Sequence, residues 1–255
     1  MAMLQETFAQ GDSVLHCRDP RLRVIFAAFY AVLLAVSSDF TTLIIGLCCA
    51  FALVLVARLA LLVVARRLLL VNIFNLILVA MLPITYEGRP LYTLGPFVGS
   101  VEGLALAGEI ALKSNALVLL FIALVTTMSV ATLGHALNSL HVPPKLVYLL
   151  LIAYRYVFVL EQEYGRLATA ARVRGFSAGT NLHSYKTVAY LFGMLLVRAL
   201  ARADRVYQAM LCRGFCGRFY CIQQFRLDCG DILWSGIMLF FFLVLVYCEW
   251  LNNLV

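Results

Sequence analysis

What this chain can fold into is set first by its charge-free runs. Between successive charged residues lie 24–38, 40–57, 68–86, 114–144 and 232–248, and the apolar part of the fourth run is 114–133. A hydrocarbon core about 30 Å thick is crossed by about 20 helical residues. In lipid every backbone N–H and C=O must be bonded internally, so apolar runs of this length span as helices. Five transmembrane helices are expected, the short first one extended by Leu22 and a snorkelling Arg23. With 64% apolar and 13% charged residues, the 255-residue chain is neither disordered nor a soluble enzyme with a solvated surface. The fold class expected is all-α, a polytopic membrane protein.

Basic residues gather on the cytoplasmic side of membrane proteins. An inside N-terminus leaves only Arg89 and Lys113 of the 20 Lys and Arg on the outer side, and puts the C-terminus outside. The expected location is the inner (cytoplasmic) cell membrane, multi-pass. Residues 1–133 hold the N-terminal approach and four spans, 134–231 form a cytoplasmic region, and 232–255 form the last span. The polar stretch ahead of Val24 shows no signal-type cleavage site, so no cleavable signal is expected. Pro83, Pro90 and Pro96, with Gly88, Gly95 and Gly99, mark a turn-rich outer loop that re-enters helix near Val101. The basic residues form no polybasic block, so a nucleic-acid partner is not expected.

The cytoplasmic region is basic yet rich in Leu, Ala, Val, Tyr and Phe. Helical signals follow Pro143-Pro144 over 145–171 and again over 184–211. Arg198, Arg202 and Arg205 lie at i, i+4 and i+7 and share one helical face. Long amphipathic helices are expected, with an apolar face toward the membrane and a basic face toward a partner or lipid phosphates. Each ends in the same pattern, A-x-x-x-R-G-F, carried once by Ala170 to Phe176 and again by Ala209 to Phe215. Gly175 and Gly214 fall where a left-handed helix C-cap belongs. Arg174 and Arg213 sit in the last turn, where a cation complements the helix dipole. Arg-Gly alone is an ordinary way to end a helix. Its repetition with the same Ala and Phe points instead to two equivalent sites on a two-fold partner. A guanidinium fork grips carboxylates and carbonyls, Gly admits a close backbone, and Phe176 and Phe215 offer apolar anchors.

These repeated helix ends resemble those of the energy-coupling transmembrane component of energy-coupling-factor (ECF) transporters, cobalt/nickel subgroup, CbiQ-like. His16-Cys17-Arg18-Asp19-Pro20-Arg21 is similar to the family's H-x-x-D-P-R approach to the first span. Tyr154-Arg155-Tyr156 is similar to T-Y-R-Y, with Ala153 for the Thr, and Arg205 to Met210 followed by Arg213-Gly214-Phe215 resembles E-R-V-Y-x-A-M-x-x-R-G-F, with Asp204 for the Glu. Val173 and Cys212 stand where the family most often has Ala. The resemblance implies a non-catalytic subunit whose Arg174-Gly175-Phe176 and Arg213-Gly214-Phe215 ends dock on two ATP-binding subunits. Ala171, Arg172, Val173, Ala209, Met210, Cys212, Arg198, Arg202 and Arg205 support those ends. The helices pass ATPase motion to a separate membrane subunit that captures Co2+ or Ni2+. It further implies that this chain binds no cofactor, ATP and Mg2+ belonging to the partners. A vitamin in place of the ion keeps the same role. A self-contained secondary transporter or an integral-membrane enzyme are rival classes. The first calls for an inverted repeat, the second for clustered carboxylates or an activated nucleophile.

Other polar residues read as structural. Asn72 and Asn75 suit a packing hydrogen bond inside the third span. Glu102 and Glu109 suit the start of the fourth helix. The four histidines are scattered. Cys212, Cys216, Cys221 and Cys229 lack zinc-ligand spacing, so no metal site is expected.

Overall fold

The computed structural model describes residues 13, 15, 18–86, 89–94, 97–217 and 228–252. The chain divides into two compact units, Met1–Ala136 with Phe225–Val255, and Leu137–Gln224. Helices α1 (Pro20–Val36), α2 (Phe40–Val56) and α3 (Leu61–Thr85) come first, followed by a hairpin of strands β1 (Pro90–Leu94) and β2 (Phe97–Ser100). Helix α4 (Val101–Leu124) and the short α5 (Val130–Ser139) precede α6 (Pro144–Val173) and α7 (Leu182–Cys212), and α8 (Cys229–Asn252) closes the chain.

The charge-free runs fall in order on α1, α2, α3, α4 and α8, the fourth run continuing past α4 into α5. Among the described residues α3, α4 and α8 are long and apolar enough to cross a membrane. Helices α1 and α2 have 17 residues each, about 25 Å at 1.5 Å per residue. They fall short of a full bilayer core. The outer loop is shorter and more regular than expected. Pro83 belongs to α3 and not to the loop, and β1 and β2 pair antiparallel, Tyr92 opposite Gly99 and Leu94 opposite Phe97. Gly88, Gly95 and Pro96 lie outside the described residues.

The fourth span also differs from expectation. It starts at Val101, as its sequence suggests, but stops at Leu124 instead of 133. The hydroxyls of Thr126 and Thr127 donate back to the carbonyls of Ile122 and Ala123, each at 2.7 Å. Ser129 Oγ then accepts the Thr132 N–H at 3.1 Å and starts α5. Hydroxyl side chains that compete for backbone groups end helices even inside apolar sequence.

Helix α4 sits at the centre of this unit, against α1, α2 and α3. Leu120, Ala123 and Leu124 pack with Ala27, Tyr30, Ala50, Val54 and Met238 in one core. Polar contacts set helix directions. Arg23, 1% exposed, donates from Nε and Nη2 to the Leu124 carbonyl at 3.2 and 2.9 Å, and from Nη2 to Thr127 Oγ1. A cation thereby meets the negative end of the α4 dipole. Asn75 Nδ2 donates to Ser114 Oγ at 2.8 Å and Asn115 Nδ2 to Asn72 Oδ1 at 2.9 Å, the packing role expected of the asparagines. Glu102 accepts the Arg89 N–H at 2.8 Å, and Glu109 pairs with Lys113 at 2.7 Å.

Helix α8 runs parallel to α1. Asp231, near its start, accepts the Asp19 N–H at 3.2 Å and lies 3.7 Å from Arg18. Midway, Tyr30 Oη donates to the Met238 carbonyl at 2.6 Å. At the far end Ser37 Oγ hydrogen-bonds Glu249. Asp19 itself caps α1, its carboxylate accepting the Arg21 N–H at 2.9 Å, with Pro20 in the first turn. The D-P-R residues therefore start α1 and tie it to α8. His16 and Cys17 of the same motif lie outside the described residues.

Candidate functional site

The second unit is built on α6 and α7. Pro144 opens α6, where its missing N–H costs nothing. The two helices carry the repeat in register. The offset that lays one A-x-x-x-R-G-F copy on the other also lays 144–173 on 183–212, so the two helices end at equivalent residues.

Their ends are built alike, on the same pair of crossed hydrogen bonds. Arg174 is the C-cap residue of α6 and Gly175 follows at φ +85°. The Gly175 N–H donates to the Arg172 carbonyl at 3.0 Å and the Phe176 N–H to the Ala171 carbonyl at 3.1 Å. Arg213 caps α7 and Gly214 follows at φ +77°. The Gly214 N–H donates to the Leu211 carbonyl at 2.9 Å and the Phe215 N–H to the Met210 carbonyl at 3.1 Å. Both are Schellman caps, in which the crossed bonds require a left-handed residue after the cap. Arg174 and Arg213 are exposed, as are Arg172, Val173, Ala209 and Cys212, whereas Phe176, Phe215, Ala171 and Met210 are half-buried. The phenylalanines are thus less available than the free apolar anchors expected of them. The arginines are what each tip presents.

The helices run antiparallel and meet at Glu163. Its carboxylate receives Arg202 Nη2 at 3.2 Å and Arg198 Nη1 at 3.3 Å, with Arg166 at 3.7 Å from the same helix. Tyr164 stacks on Phe192, ring centres 5.9 Å apart. Two of the three arginines expected to face a partner or lipid phosphates are therefore turned to α6, and the exposed Arg205 takes no part in that contact. By sequence Arg155, Glu161 and Glu163 suit pairing along their helix or with other charges, contacts that orient helices, and Glu163 makes both kinds. Glu163 and Arg202 lie equally far ahead of the arginine in their own copies of the repeat, so Glu163 touches its own equivalent.

That contact places a local two-fold at the meeting point. Arg174 stands as far beyond Glu163 as Arg213 stands beyond Arg202. Each tip is thus about three helical turns, ~16 Å, along its helix from the meeting point, the two pointing in opposite directions. A groove opens on each side. One, of about 550 Å³, is lined by Leu167, Ala171, Arg174 and Leu191; the other, of about 370 Å³, by Ile152, Val206, Tyr207 and Met210. Leu167 and Val206, Ala171 and Met210, and Ile152 and Leu191 are repeat equivalents. Among the described residues no three His, Cys, Asp or Glu side chains gather as a ligand set. Cys221 lies outside those residues. The arrangement offers a pair of exposed, charged tips.

Residues 11–221 match the family model described as cobalt transport protein, CbiQ. The chain is 27% identical to an energy-coupling factor transporter transmembrane protein EcfT of Leuconostoc gelidum, over 82% of each chain. It is 28% identical to EcfT of Acidaminococcus fermentans over 94% of each. It is 31% identical to the cobalt transport protein CbiQ of Rhodobacter capsulatus over 54% of this chain and 59% of that one.

Proposed function

This chain belongs to the CbiQ family of cobalt transport proteins, and we propose that it is the energy-coupling transmembrane subunit of an ECF importer whose Arg174 and Arg213 tips dock on two ATP-binding subunits. The observation that carries the docking reading is the twin cap: the same exposed arginine on the same hydrogen-bonded scaffold, twice, about a local two-fold. A two-fold pair of ATPases presents two equal grooves, and a knob pair with the same symmetry fits both at once. ATP binding and hydrolysis belong to those partners. Motion of the ATPase pair moves the tips, and α6 and α7 carry it to a membrane subunit that holds the cargo.

Co2+ or Ni2+ is the proposed cargo. The family description and the likeness to the Rhodobacter protein favour it. A vitamin is the second reading, since the likeness to EcfT proteins, which covers more of the chain, names no cargo. Uptake of radioactive Co2+ against labelled vitamins, by membranes holding the whole complex, separates the two.

The proposed orientation puts the α1 N-terminus in the cytoplasm. At that end of the first unit lie Arg18, Arg21, Arg23, Arg58, Arg66 and Arg67, and near the other end lie Asp39, Glu102, Glu109 and Glu249 with Arg89 and Lys113. The parallel run of α1 and α8 suits an odd number of crossings and, with that N-terminus, supports an outer C-terminus.

The test is copurification with a tagged ATPase partner. Losing one side of a desolvated charge contact costs about 2–5 kcal/mol, so Arg174→Ala with Arg213→Ala should abolish capture while the chain still inserts. Undiminished capture by the double variant would refute the docking role.

A further inference from the structure

The contact between α6 and α7 carries a second role. Glu163 is 13% exposed, while Arg198 and Arg202, which grip it, are 49% and 36% exposed. The carboxylate is thus the sheltered centre and the guanidiniums reach in over it. Two-handed gripping of one carboxylate fixes a direction as well as a distance. The position also matters mechanically. Glu163 and Arg202 are repeat equivalents, each the same distance short of its own tip, so the contact falls at the midpoint between Arg174 and Arg213. On either side of it the helices part around the two grooves. Slippage at the midpoint would let each tip swing without moving the other.

We propose that Glu163 is a positioning residue, the pivot that locks α6 to α7 through Arg198 and Arg202 so that the two tips move as one bar. It touches neither nucleotide nor cargo. Its contribution is to the transmission of motion, and it rests on the docking reading above.

Two measurements on the full chain test it. In the first, spin labels are placed on Cys212 and on Val173→Cys, which are repeat equivalents and both exposed, with the other cysteines replaced. Wild type should give one narrow distance distribution, and Glu163→Gln a broad one. In the second, the reconstituted complex is assayed for ATPase capture and for ATP-driven uptake. Glu163→Gln should still copurify with the ATPase but lose uptake by about tenfold or more, the scale of a broken sheltered ion pair. Exchanging the charges, Glu163→Arg with Arg202→Glu, should narrow the distribution and restore uptake, which a residue needed only for folding would not show. A Gln variant with a narrow distribution and normal uptake overturns the pivot and leaves docking untouched. Should the Gln variant fail to accumulate, the exchange decides. An exchange variant that accumulates but stays broad and uncoupled overturns the pivot. So does one that fails to accumulate while Arg202→Gln behaves as wild type. Failure of the wild-type chain to capture the ATPase would count against docking alone, since the distance measurement needs no partner.

Discussion

At the scale of single residues, the two glycines after the arginines decide where the tips point. Nothing lies within 4 Å of a Cβ built on Gly175 or Gly214, yet their φ angles are +85° and +77°. The objection to a side chain is therefore the backbone alone, about 1–2 kcal/mol per left-handed residue. Gly214→Ala should lower the melting temperature only slightly but weaken ATPase capture, and Gly214→Asn should weaken it less, because Asn tolerates that region. Arg23 makes the opposite case. It is buried at the end of α4, and Arg23→Met strands the Leu124 carbonyl and leaves the Thr127 hydroxyl only its bond to the Ala123 carbonyl. Charged hydrogen bonds of this kind are worth about 1.5–3 kcal/mol. The variant should lose folded protein on mild heating, as read by size-exclusion profile, with the tips unaffected. The caps were legible in the sequence because a Schellman motif is local, written in consecutive residues. The fate of Arg198 and Arg202 was not, because their partner sits 35 to 39 positions away on another helix.

At the scale of elements, the charge-free runs marked the five longest helices of the first unit, since lipid leaves an apolar run little else to become. Their ends were less legible. α4 stops where threonine hydroxyls take backbone carbonyls, a contest that hydropathy does not register. Close approach between α3 and α4 was equally hidden. A Cβ on Gly103 would lie 2.7 Å from the Leu82 carbonyl oxygen and 2.8 Å from Pro83 Cα. Backbone cannot swing aside as a side chain does, and overpacking of this sort costs about 1–3 kcal/mol. Gly103→Ala should therefore reduce the yield of folded protein, whereas Gly108→Ala, whose nearest neighbour is a Phe40 ring carbon at 3.7 Å, should leave it unchanged.

At the scale of the whole molecule, a membrane bundle tied at α1 and α8 and a helix pair with matched tips divide the work. The bundle has polar clamps and a packed core. The helix pair has a shared carboxylate and exposed arginines. The sequence disclosed the two tips, through the repeat, but the antiparallel meeting that points them in opposite directions is a tertiary fact.

The most direct measurement is photo-crosslinking from the tips themselves. A photoreactive residue is placed at Val173 in one variant and at Cys212 in another, within the intact complex. The account predicts that both capture the ATPase, while the same probe at the exposed Leu62 of α3 does not. Adducts to lipid alone from either tip, or ATPase capture from one tip only, would contradict a subunit driven through two equivalent ends.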